Sequence, residues 1–418
     1  MSVTLPTTVN YADKLASLPD ATQSISIAAA PVNGQTFTAG QIINFDLLNR
    51  GFLVPDSFYL SYTYTSANAA ATPQLIGCPG YTSISRAEVQ IGSVTVESIN
   101  NYNVLMHFLS NTTLDVAQKY GLQSAYGYAS NTTQSSIEVL DGRLLGIDEV
   151  GTFSVPLMTV LSNAEKLLPL FAMPQIRINL TVESISNMFN AAGSIPTAWT
   201  LSNLELRYKI VDMGGQVEDI VRAMGDKIYI KSQSFASSTA SAPLAAGYNE
   251  FVYNQRFASV KSLFGLNGNT TASSNRIFDS VDVTRNTGDY CFNLAGVNYP
   301  QKVISSRVNR SQALQELRSA MGSVFDRNNN MAINSVEFLA NDNTACGYTT
   351  PGKYYIGTSC ERLNSNSLLT GVSTQNSPIS YKINSGQAVA GTTPFTLIVN
   401  YDALFEVDTV NRQVSLKC

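Results

Sequence analysis

Apolar residues recur at every second position through much of this chain. Leu204, Leu206, Tyr208 and Ile210 alternate with Glu205, Arg207 and Lys209. Ile176, Ile178, Leu180 and Val182 alternate with Arg177, Asn179 and Thr181 in the same way. A period of two sends one set of side chains to a core and the other to solvent, so both stretches are predicted half-buried antiparallel strands. Phe58, Leu60, Tyr62 and Tyr64 mark a third. Turn residues punctuate these runs at Asn33-Gly34, Ala39-Gly40, Arg50-Gly51 and Pro55-Asp56, which predicts a sandwich or barrel of short strands. Near the midpoint the period changes. Val217, Ile220, Val221 and Met224 form one stripe of a short amphipathic helix, bounded by Gly214-Gly215 and Gly225-Asp226. Alternation resumes at Lys227-Ile228-Tyr229-Ile230-Lys231.

The two sides of that helix follow the same order of events. Glu88 to Val96 reads as a hairpin turning at Gly92-Ser93, followed by helical stretches at 100–109 and 114–122. Tyr290 to Tyr299 turns at Gly296 and leads to a helix carrying Ala313, Leu314, Leu317, Met321 and Val324, with Ser311 as its expected N-cap. Strands at 203–211 and 395–407 close the two halves. The order predicts two copies of one all-β domain, with longer helical excursions than a simple sandwich has.

Composition changes the picture in one respect. Hydrophobic content is 44%, an ordinary value, but charged residues are only 13%, about half the usual ~25%. A polar, weakly charged surface suits a protein covered by its neighbours. The net charge of −4 and the lack of any Lys/Arg cluster argue against a direct grip on a nucleic-acid backbone. No apolar run approaches the ~20 residues of a membrane span. The opening Met1-Ser2-Val3-Thr4-Leu5-Pro6 lacks the regions of a signal peptide, so the expectation is a protein kept inside a cell until it is assembled.

Asn49-Arg50-Gly51-Phe52-Leu53-Val54-Pro55, leading into Phe58-Tyr59-Leu60, resembles the opening strands of double jelly-roll major capsid proteins. So does Val89-Gln90-Ile91-Gly92 with Val96-Glu97-Ser98-Ile99-Asn100-Asn101-Tyr102-Asn103. In the second half, Phe292 to Pro300 is similar to the family's strand-turn-Tyr-Pro element, and Leu369 to Ile379 to its later Gly-x-x-Thr-x-Asn segment. The resemblance covers roughly residues 25 to 410 and points to polinton-like viruses and virophages within the adenovirus–tectivirus lineage. It implies an all-β fold of two tandem eight-stranded jelly rolls with a few short helices in the connections. The expected division is an N-terminal arm at 1–24, a first jelly roll at 25–212, a linker helix at 213–225, a second jelly roll at 226–408 and a tail at 409–418. Loops at 124–136 and 236–247 are expected as tower insertions. The implied function is a major capsid protein, a pseudo-hexagonal homotrimer tiling an icosahedral shell in the virion. Its implied partners are itself, then minor capsid and penton proteins.

Candidate chemistry is sparse. His107 is the only histidine, within Leu105-Met106-His107-Phe108-Leu109, and a triad or multi-histidine metal site needs more. Asp326 to Glu337 places oxygen ligands at positions 1, 3, 5 and 12 of a calcium loop, but Met331 stands where glycine makes the sharp turn. An Asn-rich loop fits better. Gly265 to Thr271 looks like a phosphate loop without its Lys. Gly121 and Ser124 lack a neighbouring base, and Asp148-Glu149 reads as a solvated turn. Cys78, Cys291, Cys346, Cys360 and Cys418 have no metal or redox spacing and read as buried free thiols. The sequons at Asn111, Asn131, Asn179, Asn269 and Asn309 carry little meaning without a secretory signal. No catalytic, cofactor-binding or metal site is assigned, and no enzymatic activity is expected. The alternative function is a two-domain β-sandwich lectin or fibre protein, whose Tyr120, Tyr126 and Tyr128 would stack on sugar rings.

Overall fold

The strand predicted from Leu204 to Ile210 is the centre of the first half. In the computed structural model it runs Ala198–Asp212. The structure describes residues 22–67, 74–75, 77–128, 143–144, 150–189, 196, 198–223, 225–268, 280, 288–305, 309–324, 331–333, 338, 353–362, 369–385 and 388–418. Along one edge Ala198–Asp212 pairs with Tyr59–Ala67 and Phe52–Leu53, and along the other with Gln23–Ala29 and Thr36–Phe37. Val150–Pro156 and Leu168–Pro169 extend this sheet to seven strands. A four-stranded sheet runs in the order Ile42–Asp46, Ile176–Val182, Ile84–Ile91, Val94–Asn100. All eight alternating apolar residues read from the two sequence patterns are buried. So are Phe58, Leu60, Tyr62 and Tyr64.

The second half repeats the plan. Its central strand, Val389–Asp408, pairs with Lys227–Leu244 on one side and Val260–Asn267 on the other. Ile356–Ser359 and Gln413–Lys417 complete five strands. The partner sheet has four, in the order Gly247–Tyr253, Ile379–Ser385, Asp289–Leu294, Val297–Ser305. Phe251 of one sheet stacks on Phe395 of the other at 4.1 Å between ring centroids. Tyr253 Oη donates to the Phe395 carbonyl at 2.9 Å, satisfying a hydroxyl that the core would otherwise strand. Apart from the hairpins Ile84–Asn100, Asp289–Ser305 and Val389–Lys417, neighbouring strands in both halves are distant in sequence, as in a jelly roll.

Local sequence explains particular features. Gly51 holds φ at +64°, and a Cβ there would meet the Val211 carbonyl oxygen at 2.9 Å. The turn at Asn49–Pro55 therefore needs glycine for its conformation and for its clearance. The predicted helices stand at Tyr102–Thr113, Val116–Gly121, Gly215–Ala223 and Arg310–Val324. Ala313, Leu317, Met321 and Val324 are buried on the last of these.

Several expectations change. Ser311 lies inside its helix, whose first bond is accepted by the Asn309 carbonyl from Ala313 at 3.1 Å. The 236–247 segment is no loop: residues up to Leu244 continue the 18-residue strand Lys227–Leu244, held by the ladder to Val389–Asp408. Its Ser, Thr and Ala residues concealed a strand that cross-strand pairing enforces. Gln23 and Ser24, expected in an arm, pair with Asp212 and Val211. In the expected tail, Gln413–Lys417 returns along Leu404–Asp408 after a turn capped by the Asp408 carboxylate, which accepts from the Val410 and Asn411 amides. The linker helix buries only part of its stripe: Val217 and Val221 pack on the core while Ile220 stays 57% exposed. The arm before Thr22 and most of the 124–136 loop lie outside the described residues.

Candidate functional site

The two halves meet along a seam, and the seam holds the most unusual polar chemistry of the first half. Glu97, on Val94–Asn100, is 3% exposed. Each of its carboxylate oxygens accepts from the Val160 amide at 2.9 Å, and Oε1 also accepts from Ser234 Oγ of the second half. Burial pushes its carboxyl up to about 7, although the bonds from Ser234 and Val160 pull the other way. Ser232 Oγ donates to the Val160 carbonyl at 2.6 Å, and Asn163 Nδ2 donates to the Gln233 carbonyl at 3.1 Å. The Glu165 amide reaches the Lys231 carbonyl at 2.9 Å, and Asn101 Nδ2 reaches Thr239 Oγ1 at 2.9 Å. The 160–165 turn of one half is thus stitched to the edge strand of the other.

The helix Tyr102–Thr113 supplies the apolar part of the seam. Phe108 meets Phe264 and Tyr355 of the second half, each at 5.0 Å between centroids. One turn along, Asn111 Nδ2 donates to His107 Nε2 at 2.9 Å and to Tyr355 Oη at 3.2 Å, and Lys119 Nζ donates to Asn111 Oδ1. His107 is therefore a buried member of the seam, 3% exposed. Among the described residues no group of His, Cys, Asp and Glu is placed to hold a metal ion. Most of the calcium-loop segment, including Asp326, Asn328, Asn330 and Glu337, lies outside the described residues.

The other sequence candidates resolve into packing. Gly265 sits in Val260–Asn267, a strand buried at all eight positions, where a Cβ would meet Ile356 Cγ1 at 2.9 Å. That glycine serves close approach between strands. Asn111 and Asn179 are buried, which removes them as glycan acceptors. Asn131, Asn269, Asp148, Glu149 and Cys346 lie outside the described residues. Cys78, Cys291 and Cys360 are buried thiols, Cys78 Sγ donating to Tyr128 Oη at 3.3 Å, and Cys418 is half-buried. Tyr126 and Tyr128 stack on each other at 5.9 Å with Tyr128 only 3% exposed, so Tyr128 presents no face to a sugar. Beside them opens a cleft of about 240 Å³ lined by Phe58, Tyr81, Met106, Leu109, Tyr126 and Met158.

Sequence reasoning missed a second buried charged cluster. Lys261 Nζ stands 3.6 Å from Glu361 Oε1, and Lys231 Nζ stands 3.7 Å from Asp402 Oδ1. Asp402 Oδ2 accepts from Ser259 Oγ at 2.7 Å and from the Thr370 amide at 3.2 Å. These residues are scattered over the second half of the sequence. The one available signal was a lysine inside the otherwise uncharged run Ser259 to Leu266.

The fold, rather than the sequence, connects the chain to known proteins. No protein-family model and no curated protein sequence matches it. Solved structures do. The Faustovirus major capsid protein is similar over 94% of this chain and 92% of its own, at 10% identity and a TM-score of 0.64. The PBCV-1 virus capsid is similar over 97% of this chain and 98% of its own, at 10% identity and a TM-score of 0.59. The mavirus major capsid protein is similar over 100% and 95%, at 11% identity and a TM-score of 0.52. These proteins are built of two jelly rolls in one chain. With its own paired sheets repeated on either side of the Gly215–Ala223 helix, the present chain has the double jelly-roll fold.

Proposed function

We propose that this chain is a major capsid protein, assembling as a pseudo-hexagonal homotrimer that tiles an icosahedral virus shell. The observation that carries the reading is likeness over nearly the whole chain to capsid proteins with two jelly rolls. The seam supports it, because a shell tile has to move as one body and Glu97, Phe108 and Asn163 tie the rolls together. Apolar side chains also stand on both edges of the second roll's four-stranded sheet. Tyr248 and Val252 are 75% and 55% exposed on one edge strand, and Val297 and Val303 are 47% and 39% exposed on the other. Such side chains are suited to contacts between copies.

In this reading the protein acts in the virion after assembly inside the host cell, and it has no enzymatic activity. Its partners are further copies of itself, followed by minor capsid and penton proteins. Residues ahead of Gln23 form an arm, and one roll lies on each side of the Gly215–Ala223 helix. Glycan binding is disfavoured by the buried Tyr128. Solution mass measurement on the purified chain tests the proposal: a stable trimer is expected. A monomer under all conditions would remove it.

A further inference from the structure

The buried cluster around Lys261 has a composition that an ion pair alone does not require. Lys261 is 0% exposed, on the strand that flanks Val389–Asp408 on one side. Gln233 lies on the strand flanking the other side, directly opposite Asp402. The side chains of Lys261 and Gln233 meet over the central strand. With the amide oxygen turned toward the lysine, Gln233 Oε1 accepts from Lys261 Nζ at 2.6 Å while its NH2 donates to the Val324 carbonyl at 2.5 Å. Glu361 Oε1 is 3.6 Å from the same Nζ and is itself held by Thr370 Oγ1 at 2.6 Å. An amine, a carboxamide and a carboxylate are thus collected in one enclosed site.

We propose that Lys261 and Gln233 become joined by an intramolecular isopeptide bond, with Glu361 as the proton carrier. Glu361 takes a proton from the lysine ammonium, leaving a neutral amine and a neutral acid. The Nζ lone pair attacks Cδ of Gln233, forming the N–C bond. As the C–NH2 bond breaks, Glu361 gives its proton to the departing nitrogen and takes one from Nζ, so ammonia leaves, a secondary amide remains and the carboxyl is again protonated. Nothing is oxidised or reduced, and no further reactant enters. Nζ already hydrogen-bonds the carbonyl oxygen of the amide it attacks, so the step is intramolecular and the two groups are neighbours before it begins. The carboxylate stands 3.6 Å from the amine, so a closer approach of a few tenths of an ångström brings it to hydrogen-bond distance as general base and then acid. Exclusion of water from Lys261 removes the competing hydrolysis. The product is a covalent strap across Val389–Asp408, tying Lys227–Leu244 to Val260–Asn267. Without the reaction, the lysine remains a buried ion in a pair that gains little net stability.

Mass spectrometry of the purified full-length chain decides the matter. The linked chain is expected to be lighter than its sequence mass by about 17 Da, the ammonia lost when the amine acylates. Proteolysis should release one branched peptide containing both Gln233 and Lys261. The branched peptide should be absent from Lys261→Met and Gln233→Ala, and from Glu361→Gln if the carboxylate carries the proton. An unmodified wild-type mass with the two peptides recovered separately would overturn the proposal without recourse to any variant. A branched peptide persisting in Glu361→Gln would overturn the role given to Glu361.

Discussion

Glu97 offers the sharpest test of the seam, because one carboxyl couples the stability of the two halves to pH. Burial raises its folded pKa to about 7 against 4.5 for the free side chain. The folded state therefore binds this proton more tightly than the unfolded state does. Its contribution to stability is fully present below pH 4.5 and is lost as the pH rises through about 7. At about 1.4 kcal/mol per pKa unit, the difference between the two plateaus is on the order of 3 kcal/mol. Glu97→Gln removes the titration but keeps an acceptor for the Val160 amide and a donor for Ser234 Oγ. The assay is urea unfolding at fixed protein concentration from pH 5 to 8, followed by fluorescence of Trp199, the single tryptophan. The wild type should lose about 3 kcal/mol across this range relative to the variant, and the variant should be the more stable protein at pH 8. Parallel pH dependence in the two proteins would refute the argument. It would mean that Glu97 is solvated when ionised, and so that the seam opens at neutral pH.

Further outcomes follow from packing and charge. Leu206→Ala, at a position 0% exposed in the central strand, should cost about 2–5 kcal/mol in denaturant unfolding; a loss near zero would mean the strand presents its other face to the core. Phe108→Ala empties the contact with Phe264 and Tyr355 and should cost about 3–5 kcal/mol. It should also raise hydrogen exchange in Tyr102–Thr113 and Val260–Asn267 together, whereas a change confined to the helix would argue against a shared seam. Gly371→Ala would drive a Cβ into the Val260 carbonyl, so a marked fall in thermal midpoint is expected. The proposed trimer, if it forms through apolar edges, should keep its mass at about 1 M salt, where the Debye length is ~3 Å. Arg207–Glu205 is exposed and Arg177–Asp46 is half-exposed, and such surface pairs hold little. Dissociation by salt alone would contradict an interface that is chiefly apolar.

Period-two alternation was enough to locate Ile176–Val182, Ala198–Asp212 and Tyr59–Ala67 and to choose their buried faces, because a strand's side chains alternate whatever its partners are. The change of period marked the Gly215–Ala223 helix, and the repeated order of hairpin, helix and closing strand disclosed two similar halves. The same local logic failed at 236–247, where small polar residues carry weak strand preference and a long ladder to Val389–Asp408 decides the conformation. Gln413–Lys417 was legible by alternation, with Val414 and Leu416 set between Gln413, Ser415 and Lys417, but its place next to the chain's last turn made it read as a tail. It also assigned Ile220 to a buried stripe, though the helix touches the core along one edge only.

The chain's own sequence determined which residues seek a core, where turns interrupt it, and that the plan occurs twice. Tertiary structure alone decided what meets across the halves and what meets inside the second one. Nothing near Glu97 in the sequence announces Val160 or Ser234, and nothing near Lys261 announces Gln233 or Glu361. Those contacts join residues from strands and turns far apart along the chain. Burial then changes what the groups do: in water a carboxylate or an ammonium is simply solvated, whereas inside the fold its charge depends on the few partners that folding places beside it. Alternation is a property of neighbours in sequence, and the chemistry of the seam is a property of neighbours in space.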